Sequence, residues 1–250
     1  MARSKNRSRA GRSKADRRGA GGARVPAWWR WLGGLVLIAL VGGAYGWWSL
    51  RHWQPLCSAY PMQGALVGYA DGDVDFVALK AIGADFVYIE ASASAFARDP
   101  AVVKNLEAAR AARLQVGALH KYDPCQPAEK QAANFVTVVP RDKKMLPPAV
   151  ELEQVADACP VPVSDAAVVS ELMTFLNQIE THTGKPVLLK LGRRFEGQYH
   201  VAGALDRGLW LSRERMEPDY GGRGWAMWTA NSGLMTSASA QGLRWVVVQK

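Results

Sequence analysis

The chain has 250 residues and a formal net charge of +9, a length that allows one or two domains. Ten of its 31 Lys and Arg residues, and of its 22 acids only Asp16, fall within residues 1–30, so the tail carries the whole excess and the remainder is neutral. A nucleic-acid-binding fold would keep positive charge on its folded surface, and that class is excluded on this ground.

The basic tail, 1–30, abuts an uncharged stretch from Trp31 to Leu50, "WLGGLVLIALVGGAYGWWSL". About 20 apolar residues cross a bilayer as a helix. Trp28, Trp29 and Trp31 at one end and Trp47, Trp48 and Trp53 at the other are placed as an interfacial belt. The positive-inside rule keeps the tail in the cytoplasm, giving a single-pass protein of the inner (cytoplasmic) membrane with everything after Arg51 on the periplasmic side. A competing reading is a signal peptide cut after Ala44, with Gly42 and Ala44 as the small residues, and a secreted product. Both readings export the rest of the chain.

Residues 51–62 read as a linker and 63–250 as one domain. There, apolar runs alternate with helical patterns. "GALVGY" is a strand, and Asp75 caps a helix ended by Gly83. "DFVYIEA" is the next strand, and Asp99-Pro100 start the helix "AVVKNLEAARAARL". "QVGALH" (strand), "PAEKQAANFVTVV" (helix) and "PAVELE" (strand) follow. Asp165 then opens an amphipathic helix, and "PVLLKL" is another strand. Beyond it the helical periodicity fades, and "RGLWLS", "GWAMWT" and "LRWVVVQ" read as three more strands. Strand–helix alternation implies a parallel sheet, and eight strands suggest an α/β fold closed as a (β/α)-type barrel with helices missing in the last third, preceded by one transmembrane helix. An open doubly wound sheet is the alternative, although no G-x-G-x-x-G opens any helix.

Chemistry in such barrels gathers at the C-terminal strand ends. Those ends read as Glu90, His120, Glu151 with Glu153, Lys190, Ser212, Trp228 and Trp245. Glu151 and Glu153 are two residues apart on a strand and face the same way. Two carboxylates pointing together separate into an ionised and a protonated partner, which is what glycoside hydrolysis uses. Cys125 and Cys159 each follow a strand closely; if those strands are neighbours, a disulfide suits an oxidising compartment, leaving Cys57 free or paired between chains. Asp71, Asp73 and Asp75 suggest a calcium loop but lack its remaining ligands, so neither a metal nor another cofactor is expected.

From Gly64 to Val248 the sequence resembles the family 25 glycoside hydrolases, the lysozymes also called N-acetylmuramidases. The likeness is carried by Gly64–Phe76, by Phe86-Val87-Tyr88-Ile89-Glu90-Ala91-Ser92, by Gly117-Ala118-Leu119-His120-Lys121, by "LPPAVELE" from Leu146 to Glu153, and by Trp228-Thr229-Ala230. The resemblance implies Glu153 as general acid, Glu151 in the place of an Asp that orients the substrate or stabilises the transition state, and Tyr88, Glu90, His120 and Trp228 around a sugar groove. It implies the glycan strands of peptidoglycan as partner. The sequence departs from the family pattern at Leu66 (a first-strand Asp), at Glu90 and Ala93 (a Lys and a Glu) and near Arg244 and Trp245 (a last-strand Asp). Three readings stay open: a membrane-anchored muramidase cutting the β-1,4 bond between N-acetylmuramic acid and N-acetylglucosamine, a catalytically impaired barrel that binds glycan or a wall partner without cutting, and a hydrolase of another amino-sugar polymer.

Overall fold

The computed structural model describes residues 27–250; the basic tail expected at 1–30 lies almost wholly outside the described residues. Two compact units are present, meeting between Gly46 and Trp47. The first is the greater part of helix α1 (Ala27–Arg51), in which Trp31–Arg51 is long and apolar enough to cross a membrane, a length and composition that a signal sequence shares.

The second unit is a closed barrel. Its strands are β1 (Gln63–Val67), β2 (Phe86–Ala93), β4 (Gln115–Lys121), β5 (Ala149–Leu152), β6 (Leu188–Leu191), β7 (Gly208–Ser212), β8 (Met227–Thr236) and β9 (Ser239–Val248). The order β1-β9-β8-β7-β6-β5-β4-β2 returns to β1 through a parallel β1–β2 pairing. The short β3 (Ala97–Arg98) pairs antiparallel with β2 at its C-terminal end. Seven barrel strands run parallel; β9 runs against both neighbours because a hairpin joins it to β8. No helix can stand in a hairpin, which is the physical reason the helix layer thins there. The antiparallel direction also brings Arg244, midway along β9, beside Leu66 near the C-terminal end of β1.

Strands buried on both faces read as continuous apolar runs, and these do. Inward residues Leu66, Phe86, Tyr88, Leu119, Ala149, Trp210, Met227 and Val246 fill the barrel. Outward residues such as Val87, Ile89, Val116, Val150 and Leu189 meet the helices. Asp75 caps α2 (Phe76–Ala81) by accepting from the backbone N–H groups of Val77 and Ala78 at 2.9 and 3.0 Å. α3 (Val102–Ala111) begins just after the expected Asp99-Pro100, and the Asp99 carboxylate accepts from Ala101 N–H at 2.7 Å. α4 (Ala128–Val138) and α5 (Asp165–Thr183) complete the outer layer, with α5 capped by Ser164 and closed by left-handed Gly184.

Two expectations need adjusting. The stretch after β6 holds two short helices, α6 (Arg193–Tyr199) and α7 (Val201–Ala204), too short for a helical period to register in sequence. The 51–62 segment packs on the barrel: Trp53 and Tyr60 lie against Trp228, and Trp53 C=O accepts from the Asn231 amide at 2.9 Å.

Candidate active site

Strand parity decides which side chains reach the mouth. On β5, Val150 and Leu152 face the helices, and Glu151 faces the barrel axis with Glu153 above it. The parallel register sets Lys121, Glu151 and Lys190 side by side on β4, β5 and β6. Read along the strand order from β9 to β6, the mouth carries Arg244, Glu90, Lys121, Glu151 and Lys190, while on β1 the inward residue Leu66 is fully buried level with Tyr88. The charges alternate.

One arc of that ring is closed. Arg244 ion-pairs with Glu90 and with Asp71 at 2.7 Å, and Lys121 holds the other Glu90 oxygen at 2.8 Å. Asp71 also accepts from Gly68 N–H at 2.7 Å. Burial pushes the Glu90 carboxyl up, but Arg244 and Lys121 together hold it below the usual glutamate range. Gly68 is needed here for close approach, since a Cβ would collide with the Glu90 carboxylate. The three aspartates of the loop go separate ways: Asp71 to Arg244, Asp73 to Lys104, Asp75 to the α2 cap.

The other arc is open. Glu151 and Lys190 form a nearly buried ion pair, their side chains 12% and 7% exposed. Glu153 stands 3.8 Å from the same ammonium with 53% of its side chain exposed. Its carboxyl is raised above the ordinary glutamate range, chiefly by burial and also by Glu151, against the pull of Lys190. Gly192 leaves the room it occupies, because a Cβ there would strike the Glu153 carboxylate. A cleft of about 300 Å³ opens beside these groups, with Lys121, Asp123, Glu151, Glu153 and Gln154 on its walls, a size within the range of small-molecule sites. A disulfide between Cys125 and Cys159, Cα atoms 5.2 Å apart, ties together the loops that follow β4 and β5; Cys57 is free and exposed.

Glu90, Glu151 and Glu153 are thus brought to one mouth, and three other expected groove residues are not. His120 faces outward and is completely buried, its ring 4.8 Å from that of Phe175. Gln131 Oε1 accepts from its Nε2–H at 3.2 Å and Ser92 Oγ donates to its Nδ1 at 2.8 Å. Burial pushes its pKa down to about 4, so it is a neutral spacer between sheet and helices. Trp228 also faces outward, packed on Tyr60 and Trp225, its indole N–H donating to Arg213 C=O at 2.7 Å. Tyr88 points inward one layer below Glu90, and its hydroxyl donates to Pro147 C=O at 3.0 Å. Lys190, read from the sequence as a strand end without a stated role, does reach the mouth; the mouth side chains that sequence reasoning did not place there are Lys121, Arg244 and Asp71. Counting every second residue up β4 from the barrel-filling Leu119 would have found Lys121.

Comparisons with known proteins agree with this geometry. Residues 67–233 match the family described as Glycosyl hydrolases family 25. A family 25 glycosyl hydrolase from Bacillus anthracis superposes with a TM-score of 0.71 at 24% identity, covering 80% of this chain and 93% of that one. A bacterial lysozyme from Streptomyces coelicolor gives 0.66 at 17% identity over 76% and 92% of the two chains. A muramidase from Trichobolus zukalii gives 0.65 at 21% identity over 76% and 94%. These structural likenesses establish the shared fold. A search of the curated proteins found no match. The chain belongs to family 25 of the glycosyl hydrolases.

Proposed function

We propose that this protein is a muramidase held at the membrane by α1, cutting the β-1,4 bond between N-acetylmuramic acid and N-acetylglucosamine in peptidoglycan, with Glu153 as proton donor. The observation that carries the reading is Glu153 itself: a carboxyl at the lip of a cleft, raised in pKa, beside a second carboxylate. A raised pKa keeps the acid form available to protonate the leaving glycosidic oxygen. As that C–O bond breaks, positive charge grows on the anomeric carbon. In a substrate-assisted route the acetamido oxygen of the sugar closes on that carbon, and water then opens the intermediate and returns a proton to Glu153. Glu151, below and on the same face, orients the acetamido group. The apolar α1 and the basic tail before it support an extracytoplasmic barrel beside the wall.

The Glu151–Lys190 pair favours a second reading, a barrel that binds glycan without cutting, because a cation next to the reacting carbon opposes the charge that must develop there. Full-length protein in detergent, unaltered and as Glu153→Gln, separates the two. Each is incubated with purified peptidoglycan and the soluble products are analysed by mass spectrometry. The muramidase reading requires new N-acetylmuramic acid reducing ends from the unaltered chain and at least a ~10²-fold loss in the variant. Retention of glycan by both proteins with no products from either establishes the binding module.

A further inference from the structure

Four charged side chains wall the cleft at Glu153, and three of them are engaged with other charges. Lys121 is held by Glu90, Glu151 by Lys190, and Glu153 lies 3.8 Å from the same Lys190 ammonium. The fourth, Asp123, pairs with no cation among the described residues. Strand parity turns it toward the mouth. Lys121 faces the axis and Tyr122 turns outward, its ring 5.5 Å from that of Phe175. The Tyr122 N–H donates to Glu151 C=O at 3.0 Å, which carries the β4–β5 ladder one residue past Lys121. The alternation therefore returns Asp123 to the side of Lys121, where it is partly buried on the cleft wall. Its carboxylate makes one hydrogen bond, accepting from Cys125 N–H at 2.9 Å to close an Asx turn. An asparagine closes the same turn, so the local fold makes no use of the charge.

The backbone that carries this charge is mounted with unusual care. Gln131, on α4, is completely buried. Its Oε1 accepts from Asp123 N–H at 2.9 Å, and its Nε2 donates to Asp123 C=O at 2.8 Å and to Gln126 C=O at 2.9 Å. Behind it, the same Oε1 accepts from His120, which Ser92 holds in turn. The Cys125–Cys159 disulfide pins the loop two residues further on. Buried polar groups cost stability unless they are paired. This chain of them is paired along its length and ends on the backbone of one cleft residue. A charge fixed in advance stabilises a transition state well, because nothing has to rearrange as the opposite charge develops.

We propose that Asp123 is a further catalytic residue, an ionised carboxylate set to meet the positive charge that grows on the anomeric carbon and to offset the Lys190 ammonium; it rests on the reading of the mouth given above. Asp123 forms no bond to the sugar and exchanges no proton, so the proton stays with Glu153. The test uses the full-length chain in detergent with purified peptidoglycan. Release of N-acetylmuramic acid reducing ends is followed over a range of peptidoglycan concentrations. Asp123→Asn keeps the Asx turn and removes the charge. It should lower kcat about 10²-fold, the usual size of a lost preorganised electrostatic contact, with KM and the thermal midpoint unchanged. Asp123→Ala, which loses the turn as well, should show the same fall in kcat and a lower midpoint. Full kcat in Asp123→Asn, while the unaltered chain cuts, overturns the role and leaves the mouth reading standing. A raised KM with kcat intact makes Asp123 a binding residue and also overturns it. Loss of kcat in Asp123→Ala alone, together with its midpoint, assigns Asp123 to the turn and overturns it too. An unaltered chain that releases no reducing ends removes the mouth reading and this role with it.

Discussion

The two arcs of the barrel mouth hold their carboxylates in opposite ways. Along β9, β1 and β2, Arg244, Glu90, Lys121 and Asp71 satisfy one another. Along β5 and β6, one lysine serves Glu151 directly and stands 3.8 Å from Glu153, whose carboxyl is raised in pKa and half open to solvent. A saturated ion-pair network has no spare proton to give and no free charge to receive a substrate. An acid with a raised pKa at a cleft has both an available proton and access. On the proposed reading the proton donor sits on the β5–β6 side, and the ion pairs of the other side hold the mouth together.

Breaking the closed arc should therefore cost stability first. Arg244→Met leaves Asp71 without its cation and Glu90 with Lys121 alone. Removing one partner of a buried charge pair costs about 3–5 kcal/mol, and urea unfolding of the barrel should register a loss at the lower end of that range. Adding Glu90→Gln removes one of the stranded charges, so the double variant should lose less than the sum of the two single changes. Strict additivity would mean that Arg244 and Glu90 do not act as a unit.

The open arc depends on the disulfide in a way the closed arc does not. Cys125 and Cys159 are 34 residues apart in sequence, and a crosslink closing a loop of that length contributes about 3–4 kcal/mol in the chain-entropy picture. Their loops also carry Asp123 and Gln154 on the cleft wall. Replacing both cysteines by serine should lower the unfolding free energy by that margin, with a matching fall in the urea midpoint, and speed amide hydrogen exchange in residues 122–128 and 153–160. Exchange around Asp71 and Arg244 should stay as it was. Equal acceleration in both regions would erase the distinction between the arcs.

The barrel was legible in the sequence because its signals are local and repeated: eight apolar runs, capped helices between the early ones, and their loss toward the end. The pairing of Glu151 with Glu153 was legible for the same reason, since a two-residue spacing fixes a common face. Facing direction across the other strands was not. His120 and Lys121 are neighbours of opposite parity, and the resemblance drew attention to His120, while the axis-facing residue is Lys121. Trp228 misleads in the same way beside inward Met227 and Thr229. Parity is settled by which residues fill the barrel, and that requires all eight strands at once. Arg244 is harder still, because it joins the mouth only through the reversed direction of β9.

The smallest expected change sharpens the comparison most, because it acts on the cation that pairs with Glu151 in the open arc. Lys190 pulls the Glu153 carboxyl down while burial and Glu151 push it up. In Lys190→Met the downward pull is gone and the Glu151 repulsion is no longer shielded, so Glu153 keeps its proton to higher pH. The raised group supports cutting while protonated, and activity is lost as pH rises through its pKa. The basic limb of the pH–rate profile should therefore move upward relative to the unaltered chain. Removing positive charge beside the developing oxocarbenium should also raise kcat, by about tenfold, a barrier change of about 1.4 kcal/mol. Stability should fall meanwhile, since Glu151 loses its buried partner, so rates must be compared per folded molecule. A basic limb that stays in place with a lower kcat would mean that Lys190 supports the bound sugar, and the open arc would then owe its chemistry to the ion pair itself.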